Sequence, residues 1–119
     1  ASWERKAYGV RVVQVKTLID RFETEEGKSP NVALLGATYK PDTEDFRESP
    51  GLEVSLMLNQ QRRQIFVVDP YLKKFSKLQM LSLQDALETC DIFVILVAHK
   101  QFLSNEQLKL KGKHLHSFC

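Results

Sequence analysis

Apolar residues fall along this chain in two successive rhythms. From Tyr8 they recur at Val12, Val15, Ile19 and Phe22, at spacings of four, three, four and three. That is the stripe of a helix with one apolar face. The helix is expected to run from about Arg5 to Glu25 and to stop near Gly27, with Pro30 soon after. So short a stripe fits two arrangements, a helix packed on its own domain and a helix paired with another helix or subunit.

Beyond Pro30 the rhythm changes to short, nearly unbroken apolar runs. Asn31 to Gly36, Ile65 to Val68 and Ile92 to Val97 read as strands, and Lys113 to Phe118, more polar, looks like a fourth. Between them lie helical stretches. Ser49 can cap a helix with Pro50 at its first position, where a missing N–H costs nothing. That helix is expected to turn Leu52, Leu56 and Met57 inward and to end around Gln61 or Arg62. Ser82 opens a short helix from Leu83 to Thr89, and Asn105 to Leu110 forms a weak one. Alternation of this kind predicts an α/β fold with a mostly parallel sheet covered by helices on both faces. Such sheets take ligands at the carboxyl ends of their strands. Three segments fall there: the link from residue 36 to 49, Asp69-Pro70-Tyr71 and Ala98-His99-Lys100.

Composition narrows the picture without deciding it. The 119 residues make one domain, and 43% hydrophobic content suffices for a core. A net charge of +2 gives no strong pull toward nucleic acid or membrane. The longest apolar stretch, Ile92 to Ala98, is too short to span a bilayer. Two cysteines, Cys90 and Cys119, are too few for a disulfide framework, and with no signal peptide a reduced, cytoplasmic setting is expected. The chain lacks an initiator Met and stops inside an expected strand, so it reads as a piece of a longer protein.

Candidate chemistry gathers in GATYKPDTEDFRESPG, residues 36 to 51. Lys40 offers a point charge and Arg47 a planar fork, both suited to phosphate. Asp42, Glu44, Asp45 and Glu48 can hold those cations in place. The plainer alternative is a solvated turn whose ion pairs are each worth about 0–1 kcal/mol. No GxGxxG or GxxxxGK[ST] is present, so a self-sufficient dinucleotide or P-loop site is excluded. His114 and His116 alternate onto one face of the last expected strand, but no third ligand accompanies them and no metal site is assigned. His99 has no nucleophile or base spaced near it, so a helix cap or an ion pair is its expected role. Cys90 is expected to be packed and unreactive. Lys109 to Lys113 lacks interleaved aromatics, which argues against nucleic-acid binding.

The segment Tyr39 to Pro50 resembles the carboxy-terminal domain of the UDP-glucose/GDP-mannose dehydrogenase family. Val32 to Gly36 before it, Val67-Val68-Asp69-Pro70-Tyr71, Ala86 to Asp91 and the run Ile92 to Val97 also match, so the resemblance covers nearly the whole chain. Leu96 to Phe102, LVAHKQF, is similar to the LVDHxxF of family members that act on UDP-N-acetylmannosamine or UDP-N-acetylglucosamine, with Ala98 where Asp is common. Members acting on UDP-glucose usually show TEWxxF there.

The resemblance implies a Rossmann-like three-layer domain that binds UDP-sugar within an NAD-dependent nucleotide-sugar 6-dehydrogenase. It implies oxidation of a sugar C6 alcohol to a carboxylate in two steps through a thioester-forming cysteine. UDP-N-acetylmannosamine is the expected substrate and bacterial polysaccharide synthesis the expected use. UDP-glucose or GDP-mannose is the alternative substrate, and a non-catalytic interaction module the alternative function. Carried over by position, Tyr39 and Lys40 contact the UDP-sugar and Arg47 reaches toward NAD. Residues 1–27 would end the family's central helix, which supports a homodimer, and residues 30–119 would form the UDP-sugar-binding domain. The NAD-binding amino-terminal domain and the nucleophile lie outside this chain. A later substrate-binding arginine would fall after residue 119. Neither Cys90 nor Cys119 has the nucleophile's glycine-rich setting. The fragment is therefore not expected to catalyse alone.

Overall fold

The computed structural model describes residues 2–37, 50–60, 64–70 and 77–118, with side chains given from residue 10 onward and, in the second helix, from residue 54. Helix α1 (Ser2–Glu26) leads. It ends where Gly27 takes φ +71° and its N–H donates to the Glu23 carbonyl at 3.0 Å, a left-handed stop that suits glycine. Then follow β1 (Val32–Leu35), α2 (Pro50–Asn59), β2 (Ile65–Val68), α3 (Leu83–Thr89), β3 (Ile92–Ile95), the short helices α4 (Lys100–Leu103) and α5 (Glu106–Lys109), a 3-10 turn (Gly112–His114) and β4 (Leu115–Ser117).

The described strands form one parallel sheet in the order β2-β1-β3-β4. Leu35 stands beside both Val68 and Ile95, so β1 is central. Alternation along β1 sends Val32 and Leu34 into one core and Ala33 and Leu35 into the other. The first core is closed by Val12, Val15, Ile19 and Phe22 of α1 and by Val54 and Leu58 of α2. The second is closed by Ala86 and Leu87 of α3, with Phe102 and Leu108. Both faces of the sheet are thus covered, which is why β1, β2 and β3 read as unbroken apolar runs.

The stripe on α1 takes the first of its two expected arrangements, since Val12, Val15, Ile19 and Phe22 are all buried in the chain's own core. Tyr8's side chain lies outside the described set. On α2 the inward residues are Val54, Ser55 and Leu58, whereas Leu56 and Met57 are only half-buried and Leu52 lies outside the description. The helix ends at Asn59.

Strand ends also differ from expectation. Asn31 stays out of β1 because its N–H donates to Asp91 Oδ2 at 2.9 Å. At the other end, the N–H groups of Leu96 and Val97 converge on the single carbonyl of Leu35, which ends the regular ladder after Ile95. The fourth strand is shorter than expected because residues 112–114 wind into the 3-10 turn, with His114 N–H donating to the Lys111 carbonyl. Ser82 caps α3 as expected, its Oγ accepting from the Asp85 N–H at 3.1 Å. Helix α4 was not expected. Outside the ladder, Val67 exchanges backbone hydrogen bonds with residues 79 and 81, which cover the outer edge of β2.

Candidate functional site

The chain leaves β1 toward α2 on one face of the sheet, whereas α3, which follows β2, lies on the other. The carboxyl end of β1, beside β3, is therefore the topological switch point where a sheet of this kind opens a ligand crevice. Gly36 and Ala37 occupy it. Gly36 has φ +96°, and a Cβ there would lie 2.8 Å from Val97 Cβ and 2.9 Å from the Val97 carbonyl oxygen. Only glycine allows β1 and β3 to close so tightly at this level. The Gly36 N–H also donates to the Val68 carbonyl at 2.8 Å, tying the turn to β2.

One residue further, the Ala37 N–H donates to Asp69 Oδ2 at 2.8 Å, and the bond is buried. From the far side His99 brings Nε2 to 3.9 Å from the same oxygen, with both side chains at most 1% exposed. That separation is too long for a hydrogen bond and close enough for an ion pair when the imidazole is protonated. His99 stands at the N-cap of α4, but its side chain makes no capping bond. Its carbonyl accepts from the Phe102 and Leu103 N–H groups, while its ring meets Phe102 edge-on at 5.6 Å. Of the two roles foreseen for His99, the side-chain cap is absent although the residue occupies the N-cap position, and the imidazole lies within ion-pair reach of a carboxylate.

Beside Asp69 opens a cleft of about 590 Å³, lined in part by Val68, Pro70, Leu81, Gln101 and Phe102. Its mixture of apolar walls and a few polar groups suits a small organic ligand.

This constellation binds and orients. A carboxylate closed off from solvent and bonded to a backbone N–H fixes geometry; it is not presented to substrate for proton transfer. Ser82 also lines the cleft, but its Oγ is engaged in capping α3, where it accepts from the Asp85 N–H. Cys90 lies at the other end of the sheet, where burial and then Asp91 push its thiol up to about 12. It is packed and inert, as expected.

Tyr39, Lys40 and Arg47, the three candidate site residues, lie outside the described residues, as do Ser49, Tyr71 and Cys119. The described structure supplies the root from which residues 38–49 depart. The sequence placed Asp69 and His99 at strand ends, but not the convergence of Ala37 and His99 on the Asp69 carboxylate. The available signal was that β2 and β3 flank β1, so polar residues just past their ends meet across its exit.

His114 and His116 do share one side of the sheet, although His114 belongs to the 3-10 turn. Its ring centroid is 5.5 Å from that of Phe22 in α1. No group of three or more His, Cys, Asp or Glu suited to a metal occurs among the described residues.

Residues 33–116 match the model of the UDP-glucose/GDP-mannose dehydrogenase family, UDP binding domain. A UDP-N-acetyl-D-mannosamine dehydrogenase of Campylobacter jejuni is 37% identical over 98 residues, covering 76% of this chain and 23% of its own length. An NDP-N-acetyl-D-galactosaminuronic acid dehydrogenase of Ralstonia nicotianae is 34% identical over 105 residues, covering 84% and 24%. The chain thus spans about a quarter of the length of the curated relatives it matches. Among solved structures, the UDP-N-acetyl-mannosamine dehydrogenase of S. aureus superposes with a TM-score of 0.62 at 23% identity, over 91% of this chain and 24% of that one. This last likeness establishes the shared fold.

Proposed function

The chain belongs to the UDP-glucose/GDP-mannose dehydrogenase family through its UDP-binding domain, and we propose that it forms the UDP-sugar-binding part of an NAD-dependent nucleotide-sugar 6-dehydrogenase. The substrate is UDP-N-acetylmannosamine, whose C6 alcohol becomes a carboxylate. Both sequence relatives described above carry names of 2-acetamido sugars, which favours an N-acetylhexosamine over glucose or mannose.

The observation that carries this reading is the switch point. The link containing Lys40 and Arg47 leaves β1 there, from a root fixed by Gly36 and by the Ala37–Asp69 bond. Lys40 and Tyr39 contact the UDP-sugar. Lys40 acts by electrostatic positioning, with no proton transfer. The loop's two cations meet two phosphorylated ligands, and its carboxylates hold them in place.

NAD supplies the hydride acceptor in such a reaction, but the residues at the strand ends do not fit a resident dinucleotide. Dinucleotide folds need a glycine-rich turn after the first strand and a carboxylate presented to a ribose from the end of the second. Here the turn has one glycine, Gly36, and the Asp69 side chain is closed off beneath Ala37. NAD is therefore held by an amino-terminal domain outside this chain, and Arg47 reaches toward it.

Residues 1–27 are the end of a central helix and 30–119 the UDP-sugar-binding domain. A homodimer through α1 would use a face other than the buried stripe, such as that of Val10 and Val13, which are 56% and 62% exposed. The setting is cytoplasmic; no helix among the described residues is long and apolar enough to cross a membrane.

The test is NAD reduction by the full-length protein offered UDP-N-acetylmannosamine, UDP-N-acetylglucosamine, UDP-glucose and GDP-mannose in parallel. Turnover of the first supports the reading. Turnover of another moves the substrate assignment, and silence with all four from folded protein favours a binding module.

A further inference from the structure

A second cleft, of about 200 Å³, opens at the opposite end of the sheet, where β3 begins. Arg21 enters it from α1, Lys113 and His114 from the 3-10 turn, and His116 from β4; Glu25 is the one carboxylate in its described lining. Leu18, Phe22 and Ile92 supply an apolar wall. We propose that this cleft is an oxyanion site that takes a phosphate group, either inorganic phosphate or a phosphomonoester with an apolar stem. The site is separate from the switch point and does not depend on the function proposed above.

The fold itself holds the cations together. Phe22 is buried in the core, which fixes α1 against the sheet. His116 pairs in register with Val94, which fixes β4. Neither backbone can retreat to separate the basic side chains. His114 is fixed further by its edge-on contact with Phe22. Burial, then His114 and then Arg21, hold the His116 imidazole below its ordinary value, so the protein brings like charges together in a partly enclosed space. Glu25 alone does not balance Arg21 and Lys113, and an imidazolium in either histidine widens the deficit. An oxyanion relieves the repulsion, accepts N–H bonds from guanidinium, ammonium and imidazole, and favours charging of both rings. Phosphate fits this donor set, and the wall of Leu18, Phe22 and Ile92 fits a stem. A cation would meet Arg21 and Lys113 instead.

The experiment follows the ring-proton resonances of all three histidines in the whole chain across pH. Titrations contain chloride alone, inorganic phosphate, or phenyl phosphate at matched ionic strength. The expected result is a rise in the His116 midpoint on the order of one unit with phosphate, which is about tenfold tighter binding to the charged form. Arg21→Gln, at an exposed helix position, should melt as the wild type does and lose most of that rise. A larger rise with phenyl phosphate identifies the stem-borne ligand, and equal rises identify the inorganic ion. The proposal is overturned if His114 and His116 do not respond beyond chloride. It is also overturned if Arg21→Gln responds as the wild type does, or if the response is confined to His99 at the other end of the sheet.

Discussion

The backbone N–H of Ala37 and the side chain of Asp69 meet at 2.8 Å in a fully enclosed contact, 32 residues apart in sequence. This bond fixes where the chain emerges from β1 and makes Asp69 a positioning residue for everything that follows. Asp69→Ala leaves a buried N–H without this acceptor and should destabilise the chain by about 1–3 kcal/mol in urea denaturation. Asp69→Asn keeps an oxygen acceptor and should lose less. Equal losses from the two variants would mean that the bond to Ala37 contributes little.

Gly36→Ala should be at least as costly. The new methyl would sit at 2.8 Å from Val97 Cβ and against Val97 backbone atoms, at φ +96°. Overpacking alone costs about 1–3 kcal/mol, before the backbone conformation is counted. A denaturation midpoint unchanged from wild type would show that β1 and β3 can separate here without penalty.

Cys90 should resist alkylation while the protein is folded. With its thiol pushed up to about 12, the thiolate is roughly one part in ten thousand at pH 8. The same shift sets a pH dependence. The ordinary value of a thiol is about 9.0, so the folded state holds the proton where the unfolded state releases it. The contribution is fully present below about 9 and is lost as pH rises toward about 12. In a Cys119→Ser background, iodoacetamide labelling should track unfolding, and fast labelling of native protein would contradict the burial argument.

Lys40 and Arg47 should separate kinetically in the full-length enzyme. Lys40→Ala should raise the KM for the nucleotide sugar strongly, by tenfold or more if one charge-assisted contact of about 1.5–3 kcal/mol is lost. Arg47→Ala should mainly weaken NAD. Steady-state kinetics with each ligand varied in turn reads both, and an unchanged sugar KM in Lys40→Ala would remove that residue from the site.

Local signals made much of the fold legible. Ser82 specified α3 and its cap, and apolar runs located β1, β2 and β3. Strand ends were less legible because they are set by partners. Asp91 withdraws Asn31, and Leu35 ends the ladder by accepting from both Leu96 and Val97. Helix α4 escaped because its four residues, KQFL, show no helical period; it forms because the His99 carbonyl and the burial of Phe102 hold it. At the site, the motif from Tyr39 to Pro50 announced the family. The Asp69–Ala37 contact spans a β-α-β crossover, and no local pattern encodes it.

The most direct test of the central claim is a UDP titration of the isotope-labelled chain, read through its backbone amide spectrum. Saturable shifts are expected at Gly36, Ala37 and Asp69, at the carboxyl end of the sheet, and UDP-N-acetylmannosamine should reproduce them. Shifts absent there at saturating UDP, or confined to the far end around Ile92 and His116, would contradict that claim.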